Sequence, residues 1–188
     1  MKANQEVFWG EIAPCEHAVQ IYEDADVFLD SLEGFVAGGL RAGDGVVLIA
    51  TREHLADLEQ RLAANGFDLD DAKSVDQYIA MDADETLSQF MVKEWPDESL
   101  FERLVTDVLT RAGRGGRRVR AFGEMVALMW ARGHNGATVR LEHLWHGLCK
   151  KEAFSLFCAY PRSGFTQDAD ESIREICDVH SRVIASQN

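Results

Sequence analysis

The sequence has no glycine-rich phosphate loop. Neither GxxxxGK(S/T) nor GxGxxG occurs in its 188 residues. Such loops cradle phosphates on backbone amides at a helix N-terminus. The first strand-to-helix junction, where one would be expected, instead reads Tyr22, Glu23, Asp24, Ala25, Asp26. Three carboxylates there repel a polyphosphate, so ATP binding and phosphoryl transfer are not expected. Positive charge is scarce as well: 19 Lys and Arg stand against 32 Asp and Glu, a net charge of −13. That excess disfavours nucleic acids and anionic membrane surfaces as partners. The densest basic run holds five arginines within residues 111–120 and reads as a solvated helix-to-strand connection.

Other absences narrow the chemistry. No apolar run approaches the roughly 18 residues needed to span a bilayer, and residues 1–14, MKANQEVFWGEIAP, are too polar for a secretory signal. The four cysteines, Cys15, Cys149, Cys158 and Cys177, form no CxxC pair and no regular framework. They are expected to be reduced thiols, mostly buried, in a cytoplasmic protein. HExxH and GxSxG are missing. Cys15 and His17 are the one close Cys–His pair, and two residues on an extended chain make a weak nucleophile signal. The segment His143-x-x-His146-x-x-Cys149 invites a metal reading, but helical geometry rotates the third position away by about 120°. No metal and no cofactor are therefore assigned.

What is present is an alternation of strand and helix patterns. After a polar leader, residues 1–16, the first strand is expected at residues 18–22. A helix follows, with Phe28, Leu32, Phe35, Val36 and Leu40 on one stripe. Residues 46–50, VVLIA, are continuously apolar, as in a strand covered on both faces. Thr51 caps the next helix, and Asn65-Gly66 ends it. Further strands are expected at residues 75–81, 118–122 and 153–160. Helices are expected at residues 98–112, 125–131, 137–150 and 168–185, whereas residues 82–96 carry no clear pattern. This order implies one α/β domain, residues 17–188, built on a doubly wound, mostly parallel sheet with helices on both faces.

Ligands of such sheets bind beyond the carboxyl ends of the strands. The candidates at those ends are Tyr22, Glu23, Thr51, Asp82, Glu124 and Tyr160. Phe122 and Trp130 are expected to add apolar wall, and Glu124 and the tyrosine hydroxyls the few polar anchors, of a small-molecule pocket. Glu124 reads equally as a carboxylate at a helix start. His17, at the opening of the first strand, is a further ligand-binding candidate.

Several blocks carry a family resemblance: HAVQIYED, FVAGGLRAGDGVVLIAT, FGEMVALMWARG, LEHLWHGL and FSLFCAYP. In this order they resemble the MEDS domain, a sensory domain named for methanogens, methylotrophs and the dichloromethane-responsive repressor DcmR. The resemblance covers roughly residues 17–165. The family pattern falls on His17, Tyr22, Gly39, Leu40, Gly43, Gly123, Glu124, Trp130, Glu142, Trp145, Tyr160 and Pro161. It implies a RecA/KaiC-like α/β fold without the phosphate loop. It also implies the sensing of a small organic, hydrocarbon-derived ligand in signal transduction. With no output domain recognised in this sequence, the resemblance implies a stand-alone sensor acting on a separate kinase or transcription regulator, with a homodimer left open. Two rivals remain: an enzyme using Glu124 and His17 as acid and base, and a protein-interaction module using the acidic surface.

Overall fold

The structure, a computed structural model, describes residue 9, residues 12–165 and residues 169–184. Its centre is a six-stranded, all-parallel sheet of β1 (His17–Tyr22), β2 (Gly45–Ala50), β3 (Tyr78–Asp82), β6 (Val119–Gly123), β7 (Ser155–Pro161) and β8 (Arg182–Ile184), in the order β3-β2-β6-β7-β1-β8. The expected α/β class and doubly wound parallel sheet are present. No helix among the described residues is long and apolar enough to cross a membrane.

Helices cover both faces. On one side lie α1 (Ala25–Arg41), α2 (Arg52–Ala64) and the short α3 (Leu69–Ser74), whose apolar residues pack with Ala18, Val46, Leu48, Phe122 and Phe157. On the other lie α4 (Ala83–Phe90), α5 (Glu98–Ala112), α6 (Met125–Ala131), α7 (Asn135–Glu152) and α8 (Ala169–Asp178). They pack with Val19, Val47, Ala121, Leu156, Cys158 and Tyr160. The alternation of strand side chains sorts the two sets. The central strands β2 and β7 are buried on both faces, which explains their unbroken apolar runs.

The helix starts follow from local chemistry. Asp24, Thr51, Asp68, Asp82 and Asp97 each accept backbone amides in the first turn of the helix that follows. Gly43 turns the chain after α1 at φ +76°, a conformation side-chain-bearing residues avoid. Two residues later, a Cβ on Gly45 would stand 2.2 Å from the Ala112 carbonyl oxygen, so only glycine lets β2 pass the end of α5.

Four expectations need correcting or completing. The third strand begins at Tyr78 rather than residue 75, because Asp76 at φ +55° turns the chain out of α3. Residues 82–96 are ordered as α4 and an antiparallel hairpin, β4 (Met91–Val92) with β5 (Trp95–Pro96). The final helix, expected at residues 168–185, ends at Asp178, and Arg182–Ile184 then pairs with β1 as a sixth strand. Residues 168 and 185 lie outside the described residues. Most of the expected leader does too, but Trp9 and Ile12 are buried, and Trp9 packs on Phe35 of α1 and Phe157 of β7.

Candidate functional site

The carboxyl ends of β1, β2 and β6 bring a polar group together. Glu124 follows β6, and its backbone amide bonds the Ile49 carbonyl of β2 at 2.8 Å. Its side chain, only 8% exposed, makes no bond to the start of its own helix. It reaches instead to the start of α2. Glu124 Oε2 accepts the Thr51 amide at 2.8 Å, and Glu124 Oε1 accepts His54 Nδ1–H at 2.7 Å. The His54 ring meets Phe28 edge-on at 5.1 Å, and Phe28 stacks on Tyr22 at 4.6 Å. Phe122 closes the floor, 5.7 Å from Phe28.

The electrostatics follow from this packing. The bond to Glu124 raises the His54 pKa, against an opposing effect of burial. Burial, reinforced by the Glu124 charge, pushes the Tyr22 phenol up to about 12. Tyr22 therefore stays a neutral hydroxyl beside the Glu124–His54 hydrogen bond. Around the rim, Arg52 bridges Asp82 and Glu85, and Arg162 faces Glu23 at 3.4 Å.

The candidates divide between the two faces of the sheet. Tyr22, Thr51, Phe122 and Glu124 converge, and Glu23 stands exposed on the rim. Tyr160 and Trp130 do not join them. Tyr160 lies on the opposite face and donates its hydroxyl to Glu142 of α7. Trp130 Nε1 donates to the Gly164 carbonyl at 3.0 Å, and its ring packs on Phe165 at 5.3 Å. The single pocket expected from Tyr22, Glu124, Tyr160, Phe122 and Trp130 is thus two neighbourhoods. Strand parity is the reason: Phe122 and Tyr160 point to opposite sides of the sheet. His17 is separated as well, because it opens β1 at the amino end while Glu124 follows the carboxyl end of β6.

His17 belongs to a second group, buried between the sheet and α7. Its Nε2 lies 3.4 Å from Cys158 Sγ and 3.5 Å from Glu142 Oε2. Its ring packs on His180 at 3.9 Å, and His180 Nε2 is 3.4 Å from the same Glu142 oxygen. Burial pushes the Glu142 carboxyl up and, together with His180 and His146, holds His17 well below the usual histidine range. Burial also raises the Cys158 thiol and the Tyr160 phenol. The segment 143–149 stays apart as a set: His143 is exposed, and Cys149 Sγ donates to the Phe154 carbonyl at 3.0 Å.

His54, Cys158 and His180 have no part in the site expected from sequence. Glu142 was legible: it interrupts a buried stripe of Thr138, Leu141, Trp145, Leu148 and Cys149, where a carboxylate needs partners. His180 was not, because it follows the last helix at a position whose spacing continues that helix's apolar stripe.

No curated protein matches this chain. A family model does, that of the MEthanogen/methylotroph, DcmR Sensory domain, over residues 16–181. With nearly all of the described fold inside that match, the chain belongs to the MEDS family of sensory domains.

Proposed function

We propose that this sensory domain binds a small organic molecule at the carboxyl edge of its sheet, around Glu124, and reports it to a separate signalling protein. The observation that carries this reading is the buried Glu124 carboxylate, held by the Thr51 amide and His54 beside the Tyr22–Phe28 stack. It offers a few fixed polar groups against aromatic wall, the composition of a small-ligand site. Its position beyond the strand ends is where doubly wound sheets bind ligands. A ligand that engages this group transmits a signal only if two states of the domain differ in affinity for it. The α4 and β4–β5 segment and the C-terminal helix α8 are the elements proposed to move, and a kinase or transcription regulator is the proposed receiver. The rival enzyme reading loses its acid–base pair, because His17 and Glu124 do not face each other.

The test is calorimetry and thermal unfolding of the full chain with dichloromethane, methanol, methylamine and short aldehydes. A saturable stabilisation by at least one of these, lost in Glu124→Gln, is expected. Turnover of the compound that depends on Glu124 would instead favour an enzyme. Unchanged stability with every compound would reject the ligand site.

A further inference from the structure

The buried group around His17 is built differently from the carboxyl-edge site. Its four donors come from four places in the chain: His17 from β1, Glu142 from α7, Cys158 from β7 and His180 from the segment between α8 and β8. All four residues are buried. One atom from each, His17 Nε2, Glu142 Oε2, Cys158 Sγ and His180 Nε2, lies within 4.8 Å of the other three.

Three of the six donor–donor separations are close to one value, and all six lie within 4.8 Å. His17 to Glu142 is 3.5 Å, His180 to Glu142 is 3.4 Å, and His17 to Cys158 is 3.4 Å. A tetrahedron with metal–ligand bonds of about 2.0–2.3 Å has edges of roughly 3.3–3.8 Å. The two separations to Glu142 are too long for good nitrogen–oxygen hydrogen bonds, whereas His17 Nε2 stays within hydrogen-bonding reach of Cys158 Sγ. Accordingly, Glu142 Oε2 and His180 Nε2 are buried without a hydrogen-bond partner. Such orphans are costly in a protein interior and call for an explanation.

The surroundings orient the donors inward. His180 Nδ1 is 2.6 Å from the Ile176 carbonyl, so that nitrogen carries a proton and Nε2 is the atom that faces the group. The Tyr160 hydroxyl donates to Glu142 Oε1, which leaves Oε2 free to face the histidines. A hydroxyl and a backbone carbonyl bonded to the ligands are the kind of outer support a metal site uses. Without a cation, His180 Nε2 faces the Glu142 oxygen at 3.4 Å, beyond the length of a good hydrogen bond.

We propose that His17, Glu142, Cys158 and His180 form a closed, four-coordinate site for a zinc-class divalent cation. Two imidazoles, a thiolate and one carboxylate disfavour magnesium and calcium and suit tetrahedral zinc or cobalt. Four protein donors leave no open position, so the cation is structural rather than catalytic. It clamps the C-terminal segment to β1 and α7, adding to the bonds from the His17 amide to Ser181 Oγ at 2.7 Å and from the Ser181 amide to the His17 carbonyl at 2.8 Å. The site is distinct from the group around Glu124, and neither proposal rests on the other.

The test uses the full, tag-free chain after chelator dialysis. Zinc is titrated in competition with a chromophoric chelator, and cobalt(II) by absorption. One equivalent per chain is expected, with intense tetrahedral cobalt bands and a thiolate-to-cobalt charge-transfer band. Cys158→Ser should abolish the charge-transfer band, and His180→Gln should weaken zinc binding at least about tenfold. His180 lies outside the central strands, so the second variant remains informative where the first fails to fold. Glu124→Gln should bind zinc as the parent does. Failure of the parent chain to bind zinc at micromolar concentration would overturn the proposal. So would a cobalt spectrum that is octahedral or indifferent to Cys158 and His180.

Discussion

His54 Nδ1 stands 2.7 Å from Glu124 Oε1, joining the first turn of α2 to the residue that leaves β6. The histidine pKa is raised by that bond, with smaller contributions from Glu124, Glu53 and Asp57 charges, while burial opposes them. A raised folded-state pKa stabilises fully below the unfolded value of about 6.5, and the stabilisation is lost as pH rises through the folded value. His54→Gln should therefore destabilise the domain more at about pH 6 than at about pH 9, by a difference on the order of 1 kcal/mol. Urea unfolding of both proteins at the two pH values checks this. An equal or larger cost at the higher pH would contradict the assigned ion pair.

Glu124 itself separates structural from ligand effects. Glu124→Ala leaves the Thr51 amide and His54 without their acceptor and should cost about 2 kcal/mol in urea unfolding. Glu124→Gln keeps an acceptor for one of the two donors, so it should cost about 1 kcal/mol or less while removing the ligand response. A Gln variant as unstable as the Ala variant would show that the charge, rather than a hydrogen bond, holds this junction.

How far the sequence reveals this molecule depends on whether a residue's fate is set locally. The apolar run of β2 and the stripe of α1 were legible because burial on both faces, or on one face, writes itself into periodicity. The β4–β5 hairpin was not, because its turn places Lys93 and Glu94 at φ +50° and +63° without glycine or asparagine to announce it. β8 was hidden by the spacing of His180, Val183 and Ile184, which continues the stripe of α8. Pairing with β1 overrides that local pattern, and Val183 is 52% exposed. For the site, the carboxyl-edge rule found Tyr22, Thr51 and Glu124. It carried no information on which face of the sheet each side chain takes, and so it merged Tyr160 and Trp130 with them. The group around His17 depends on residues distant in sequence and had no motif to signal it.

At the amino end of the sheet, Arg120 and Asp44 form a buried ion pair at 2.8 Å, with side chains only 3% and 5% exposed. Arg120 also donates to the Trp9 and Phe35 carbonyls, and Arg118 shares Asp44 from a more exposed position. Removing one member strands the other in a low-dielectric interior. Asp44→Ala should therefore destabilise by about 3–5 kcal/mol. Asp44→Ala combined with Arg120→Met should cost clearly less than the sum of the two single changes, since no unpaired charge remains. Additive costs in a double-mutant cycle by urea unfolding would show that the pair is not coupled.

The last prediction returns to the junction between β1 and α1. Nucleotide-binding folds leave the first amides of the helix free to receive phosphate oxygens. Here the protein fills that position with its own carboxylate: Asp24 Oδ1 accepts the Asp26 amide at 2.7 Å and the Val27 amide at 3.4 Å. Glu23 and Asp26 add negative charge on the exposed surface beside it, and no lysine occurs between Tyr22 and Arg41 to offset them. A triphosphate would have to displace a satisfied cap worth about 1 kcal/mol and approach three carboxylates. ATP, with or without magnesium, should therefore give no heat of binding in calorimetry at protein concentrations of tens of micromolar. Asp24→Gly should not create such binding, because the glycine-rich backbone and the phosphate-binding lysine would still be missing. Micromolar affinity in the parent chain would show that the nucleotide docks elsewhere on the domain and would remove the basis for reading this junction as closed to phosphate.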